Sequence, residues 1–148
     1  MPWVGVVAAG AVTAWHLTRA TQPQRELALL AAAAVLGAIF ETLLMQTSWV
    51  RFETDVLVAG AAPNWMIALW VIFATKLDVS LRWLRRKFWL AAILGAVGGP
   101  AAYYAGARLG ALEFLATGAA LAAIGIGWAI LVPVLLAASY RLDGYAQS

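Results

Sequence analysis

The sequence predicts an all-α, polytopic transmembrane bundle of about five spanning helices, and three observations carry that prediction. Hydrophobic residues make up 64% of the chain and charged residues 11%, against roughly 45–50% and about 25% in soluble domains. With 148 residues, a soluble fold would need a polar shell that this composition cannot supply, so apolar side chains must face lipid. The apolar residues fall in long unbroken runs instead of alternating with a period of two, which argues for helices and against a β-barrel. The basic residues gather in the breaks between runs, as orientation in a bilayer requires.

Spanning the hydrocarbon takes about 20 helical residues at ~1.5 Å of rise each. The first predicted helix covers about 3–20, and Gln22-Pro23 ends it. The second runs over about 26–49, until Arg51, Glu53, Thr54 and Asp55 interrupt. A loop over 60–63 leads to the third, about 64–80. The basic connector Arg82–Lys87 precedes the fourth, about 88–109, and the fifth covers about 113–138. Residues 1–148 are expected to form one integral membrane domain.

With the Arg82–Lys87 connector inside, Arg19, Arg25, Lys76, Arg82, Arg85, Arg86, Lys87 and Arg141 are inside, while Arg51 and Arg108 are outside. The positive-inside rule then predicts the N-terminus out and the C-terminus in. Trp3, Trp49 and Trp65 fall near the outer interface, and Trp83 and Trp89 near the inner one. Trp128 falls mid-span and is expected to pack between helices. The same basic cluster serves orientation better than nucleic acid, which needs a basic stripe on a folded surface. The chain has no cysteine, which excludes thiolate metal sites, disulfides and thiol catalysis.

Glu41 is the sharpest residue, flanked by Val35–Phe40 and Thr42–Met45 and ~12 Å from the outer end of its helix. An ionised carboxylate there costs several kcal/mol unless it faces the bundle and finds a partner. It reads as a hydrogen-bond hub between helices, as a substrate or proton site, or as a side chain snorkelling outward. Asn64, Trp65, Tyr103 and Arg108 map to the same outer half, and a polar pocket with Glu41 is expected, with Arg108 or Arg51 as counter-charge. The competing reading of the tyrosines and Trp65 is an interfacial aromatic belt.

Gly98-Gly99-Pro100 sits midway along the fourth helix, where proline removes a backbone donor and a helix break is expected. Broken helices at the midplane bind substrate in several transporters. The small residues Gly95, Gly99, Ala102, Gly106 and Gly110 equally fit close helix packing, the favoured reading. At the inner end, His16 and Asp78 form a candidate pair, as an interfacial hydrogen bond before a proton relay. One histidine is too few for a metal site, and neither a metal nor another cofactor is expected. Phosphate loops, His-Glu-x-x-His and Gly-x-Ser-x-Gly do not occur. A serine triad would need His16, at the wrong depth for the outer cluster.

Two stretches resemble a known family. One is Ala62-Pro63-Asn64-Trp65-Met66, continuing through Leu69-Trp70, Phe73-Ala74-Thr75 and Val79-Ser80-Leu81-Arg82-Trp83-Leu84. The other is Leu94-Gly95-Ala96-Val97-Gly98-Gly99-Pro100-Ala101-Ala102-Tyr103, followed by Ala105-Gly106-Ala107-Arg108-Leu109-Gly110. Together they are similar to the bacterial membrane family known as domain of unknown function 2878. The resemblance implies a multi-pass protein of the bacterial inner membrane, with a weak link to lipid metabolism and no established activity. Members carry a further hydrophobic segment before Pro2-Trp3, which implies a sixth helix missing here. Their acidic position in the second helix is often aspartate, where this chain has Glu41.

Three functions follow, in order of expectation. The first is a non-catalytic membrane component, which is why the chain leans away from being an enzyme. The second is a small transporter or permease component working as an oligomer. The third is a membrane enzyme acting on a lipid, with Glu41 as acid or base. The expected partners are membrane lipids and a second copy or another membrane protein, with no nucleic acid.

Overall fold

A computed structural model describes residues 2–53 and 60–145. Its helices are α1 (Pro2–Arg19), α2 (Pro23–Gln46), α3 (Asn64–Leu77), α4 (Phe88–Arg108) and α5 (Thr117–Arg141), with a 3-10 turn over Arg82–Arg86. Two short strands, β1 (Val50–Phe52) and β2 (Leu112–Phe114), pair antiparallel. The architecture is an all-α bundle, and α2, α4 and α5 are long and apolar enough to cross a membrane. Thr54 and Asp55, read as part of the polar interruption, lie outside the described residues, as does Met1.

Three expected boundaries move, each for a local reason. The third helix stops at Leu77, because Asp78 caps it and turns inward. Its 14 residues rise ~21 Å, short of the ~30 Å hydrocarbon core. The second helix ends at Gln46 and the fifth begins at Thr117, since the chain between takes the strand pair in place of helix. Ser48 and Gly110 adopt positive φ, 58° and 77°, and turn the chain out of α2 and α4. Val50, Phe52 and Leu112 are buried while Arg51 and Glu113 face out, paired at 3.5 Å. The strands close one end of the bundle, here termed the hairpin end. The opposite end carries the Arg82–Lys87 connector and is termed the basic end.

Missing side chains bring the helices together. A Cβ at Gly95 would strike the backbone carbonyl of Trp128, and one at Gly99 its indole ring, so α4 and α5 meet closely. Gly37 does the same for α2 against the Trp70 ring of α3, and Gly127 of α5 admits the Phe40 ring. Only part of the predicted small-residue stripe serves packing. Ala102 is exposed, Gly106 meets only Leu112 at 3.6 Å, and Gly110 belongs to the turn.

The helix break expected at Gly98-Gly99-Pro100 does not form, for α4 runs on through Pro100. Proline frees the carbonyl four residues back, at Ala96. That oxygen lies 3.2 Å from where a Gly125 Cβ would stand, so a glycine backbone on α5 accommodates it. Among the aromatic residues, Trp70 and Trp128 stack at 4.6 Å, with Phe73 set edge-on to Trp128 at 5.4 Å. Trp70 belongs to the buried core, Phe73 and Trp128 pack against it half-buried, and Trp128 lies between helices. α1 packs on α3 and leaves Trp3, Val4, Val7 and Trp15 exposed.

Candidate functional site

The buried stripe of α2 reads Glu26, Leu29, Leu30, Ala33, Gly37, Glu41 and Leu44. Those spacings of three and four place a carboxyl near each end of one helix face. Fifteen residues of helix separate the two acids by about 22 Å. Each acid is the centre of its own polar cluster.

At Glu41, which is fully buried, Trp70 Nε1 of α3 donates to Oε1 at 2.9 Å. The Tyr103 hydroxyl of α4 donates to the same oxygen. Among the described residues, Oε2 of Glu41 and Nε1 of Trp128 are buried without a hydrogen-bond partner. Beside this group lies a cavity of about 250 Å³, whose walls include Trp65, Met66, Leu69, Tyr103, Gly106 and Trp128. Glu41 itself is not in the wall. A molecule in the cavity meets aromatic and aliphatic surface, with the Tyr103 and Trp128 side chains as its polar neighbours.

Of the residues predicted to converge here, Glu41 and Tyr103 come together. Asn64, at the start of α3, makes no hydrogen bond to Glu41, and Trp65 packs edge-on against Phe52 at 5.9 Å while lining the cavity. Arg108 is exposed at the end of α4. Arg51 pairs with Glu113. Neither arginine is the counter-charge of Glu41, because two neutral donors occupy its one satisfied oxygen. Trp70 is the partner that sequence reasoning missed. Its spacing to Asn64-Trp65 set it a helical turn deeper, where an indole N–H inside an apolar run demands an acceptor.

The second cluster lies at the basic end. His16 Nε2 of α1 meets Glu26 Oε1 at 2.5 Å. Asp78 pairs with Arg85, whose Nη1 also donates to Asp143 Oδ2 at 2.6 Å. Arg82 Nη2 grips both oxygens of Asp143, at 2.9 and 2.8 Å. Tyr145 donates its hydroxyl to the His16 carbonyl oxygen at 2.5 Å. Burial first, then the neighbouring Glu26 carboxyl, raises the Asp78 pKa to about 7 against the pull of Arg85. Burial alone would raise Asp143, but Arg85, the Tyr145 amide and Arg82 outweigh it and hold it below its ordinary value.

The predicted His16–Asp78 pair is therefore not a direct one. Both residues enter the cluster, but His16 takes Glu26 and Asp78 takes Arg85. Three carboxyls (Glu26, Asp78, Asp143) face two guanidinium groups, so the cluster is neutral when one proton stays among His16, Glu26 and Asp78. Glu26 and Arg85 escaped the sequence reading because each sits at a helix or connector end, where charge is ordinarily solvated. The signal for Glu26 was its place on the Glu41 face of α2.

No curated protein and no solved structure matches this chain. The family model described as Protein of unknown function (DUF2878) matches residues 1–134, a range that includes Glu41, Trp70, Tyr103 and Trp128. With most of its length matched, and with the two stretches that carry the resemblance inside it, the chain belongs to the family Protein of unknown function (DUF2878).

Proposed function

We propose that this protein is a non-catalytic, multi-pass component of the bacterial inner membrane that holds an apolar, lipid-like molecule in the cavity beside Glu41. The single observation that carries the reading is the make-up of that cavity: aromatic and aliphatic walls, Tyr103 as a polar neighbour, and a carboxyl set behind the wall. Pockets of this composition bind by apolar burial and use few polar groups for orientation. In the proposed orientation the basic end faces the cytoplasm, and the hairpin end with the cavity faces outward.

The arrangement favours binding over chemistry. An acid–base residue must come within hydrogen-bond reach of the reacting group, whereas Glu41 spends one oxygen on Trp70 and Tyr103 and does not line the cavity. A proton path is also disfavoured. The buried face of α2 between Glu26 and Glu41 is Leu29, Leu30, Ala33 and Gly37, with no side chain able to relay a proton over about 22 Å.

Gly106→Leu tests the reading. A Cβ at Gly106 meets only the Leu112 methyl at 3.6 Å, so the fold has room for it while the side chain fills the cavity. Mass spectrometry of lipid extracts from protein purified in a mild detergent should show an apolar species with the wild type and a depleted one with the variant. Identical extracts from a well-folded variant would overturn the assignment.

A further inference from the structure

A second cavity, about 500 Å³, lies at the basic end between α1 and α3. Trp15 and Arg19 of α1, Lys76 of α3 and Ser80 after it line this cavity, with His16 and Tyr145 at its side. We propose that it binds the phosphate of an anionic phospholipid. The inference rests on membrane residence and is independent of the cavity beside Glu41.

Charge is the first argument. Two cations and no carboxylate line the cavity. Among the described residues neither Arg19 nor Lys76 belongs to an ion pair, whereas Arg82 and Arg85 are engaged by Asp78 and Asp143. The acids of the neighbouring cluster do not line the cavity, and His16, which does, holds Glu26 behind it. A phosphate diester entering here meets two cations that no described carboxylate pairs, and no carboxylate among the lining residues.

Geometry is the second. The Arg19 guanidinium carbon stands 5.3 Å from the centre of the Trp15 ring, a cation–π arrangement that orders the side chain. Its N–H edges then form a fork suited to phosphate oxygens, and Ser80 supplies a hydroxyl. The third argument is the mixed character of the wall. Val12 and Val79 also line the cavity, and both are exposed on the bundle surface, so an attached glycerol and its acyl chains have apolar surface to follow into the bilayer. A soluble phosphate has no use for that surface. The position, at the tryptophan- and cation-bearing ends of two helices, is the depth of lipid headgroups.

The test is native mass spectrometry of the full chain in detergent, titrated with phosphatidylglycerol, with zwitterionic phosphatidylcholine, and with glycerol 3-phosphate as the soluble analogue. Wild type should prefer phosphatidylglycerol about tenfold or more, and Arg19→Gln/Lys76→Gln should abolish that preference. Arg86→Gln/Lys87→Gln, which removes two exposed cations outside the cavity, should leave it unchanged. Equal loss in both double variants would overturn the site in favour of diffuse surface attraction. Glycerol 3-phosphate binding as tightly as phosphatidylglycerol would overturn the lipid assignment. Should the first double variant fail to fold, Ser80→Trp fills the cavity with both cations kept, and an intact preference there would equally overturn the proposal.

Discussion

At the scale of single residues, the two buried acids of α2 solve the same problem in different ways. Glu41 has neutral donors from two helices on one oxygen, whereas Glu26 sits in an ionic cluster. For Glu41 the donors decide what a substitution costs. Glu41→Leu orphans the Trp70 N–H and the Tyr103 hydroxyl, at about 1–3 kcal/mol each. Glu41→Gln keeps an acceptor in place and should cost less than about 1 kcal/mol. Unfolding of the purified protein in detergent checks both, and similar losses for the two variants would refute the role given to the donors.

The acids at the basic end predict a pH dependence. Folding raises the Asp78 pKa from 3.8 to about 7, so its contribution to stability is complete below the unfolded value and is lost as pH rises through 7. Asp143 has the opposite sign. Its pKa is lowered on folding, so its contribution is present above the ordinary carboxylate range and lost as pH falls through the depressed value. The groups facing Asp78 are Glu26 on α2, His16 on α1, Arg85 in the connector and Asp143 in the tail. Melting temperature should fall from pH 5 to pH 8, and Asp78→Asn should flatten that slope. An unchanged slope in the variant would place the dependence elsewhere.

At the scale of elements, packing turns on particular glycines, not on glycine content. Gly95 lies against the backbone of Trp128, which cannot move aside, while nothing lies within 4 Å of a Cβ at Gly98. Gly95→Ala should therefore destabilise by about 1–3 kcal/mol, the usual cost of overpacking. Gly98→Ala should be neutral or stabilising by up to about 1 kcal/mol, since alanine favours the helix. Detergent unfolding of the two variants side by side decides it. The contrast was not legible in Gly98-Gly99-Pro100, because helix register against a neighbour determines which glycine meets a backbone. The strand pair shows a similar limit. Val50-Arg51-Phe52 and Leu112-Glu113-Phe114 each alternate apolar and charged residues, yet three residues are too short a period-two signal to stand against adjoining apolar runs.

At the scale of the whole molecule, the proposed orientation rests on the distribution of charge and is directly measurable. The chain has no cysteine, so a single introduced thiol labels against a clean background. Gln46→Cys, on the exposed hairpin end of α2, should react with an impermeant thiol reagent in intact spheroplasts. Lys87→Cys, in the basic connector, should react only after permeabilisation. The reverse pattern would invert the proposed topology and place the cavity beside Glu41 at the cytoplasmic half.

Sequence by itself determined the all-α bundle, the order of its helices and the isolation of Glu41 in an apolar run. Each of these is written in local composition and spacing, which act within a few turns of chain. Only the tertiary structure decided what Glu41 bonds, for Trp70 and Tyr103 stand 29 and 62 residues away. It likewise decided that Arg108 stays exposed, that His16 meets Glu26 and not Asp78, and that Arg19 and Lys76 line one cavity. Partners of that kind depend on the rotation and depth of each helix against its neighbours. Those are set by which small residues let two backbones touch, and that is a property of pairs of surfaces, not of either segment alone.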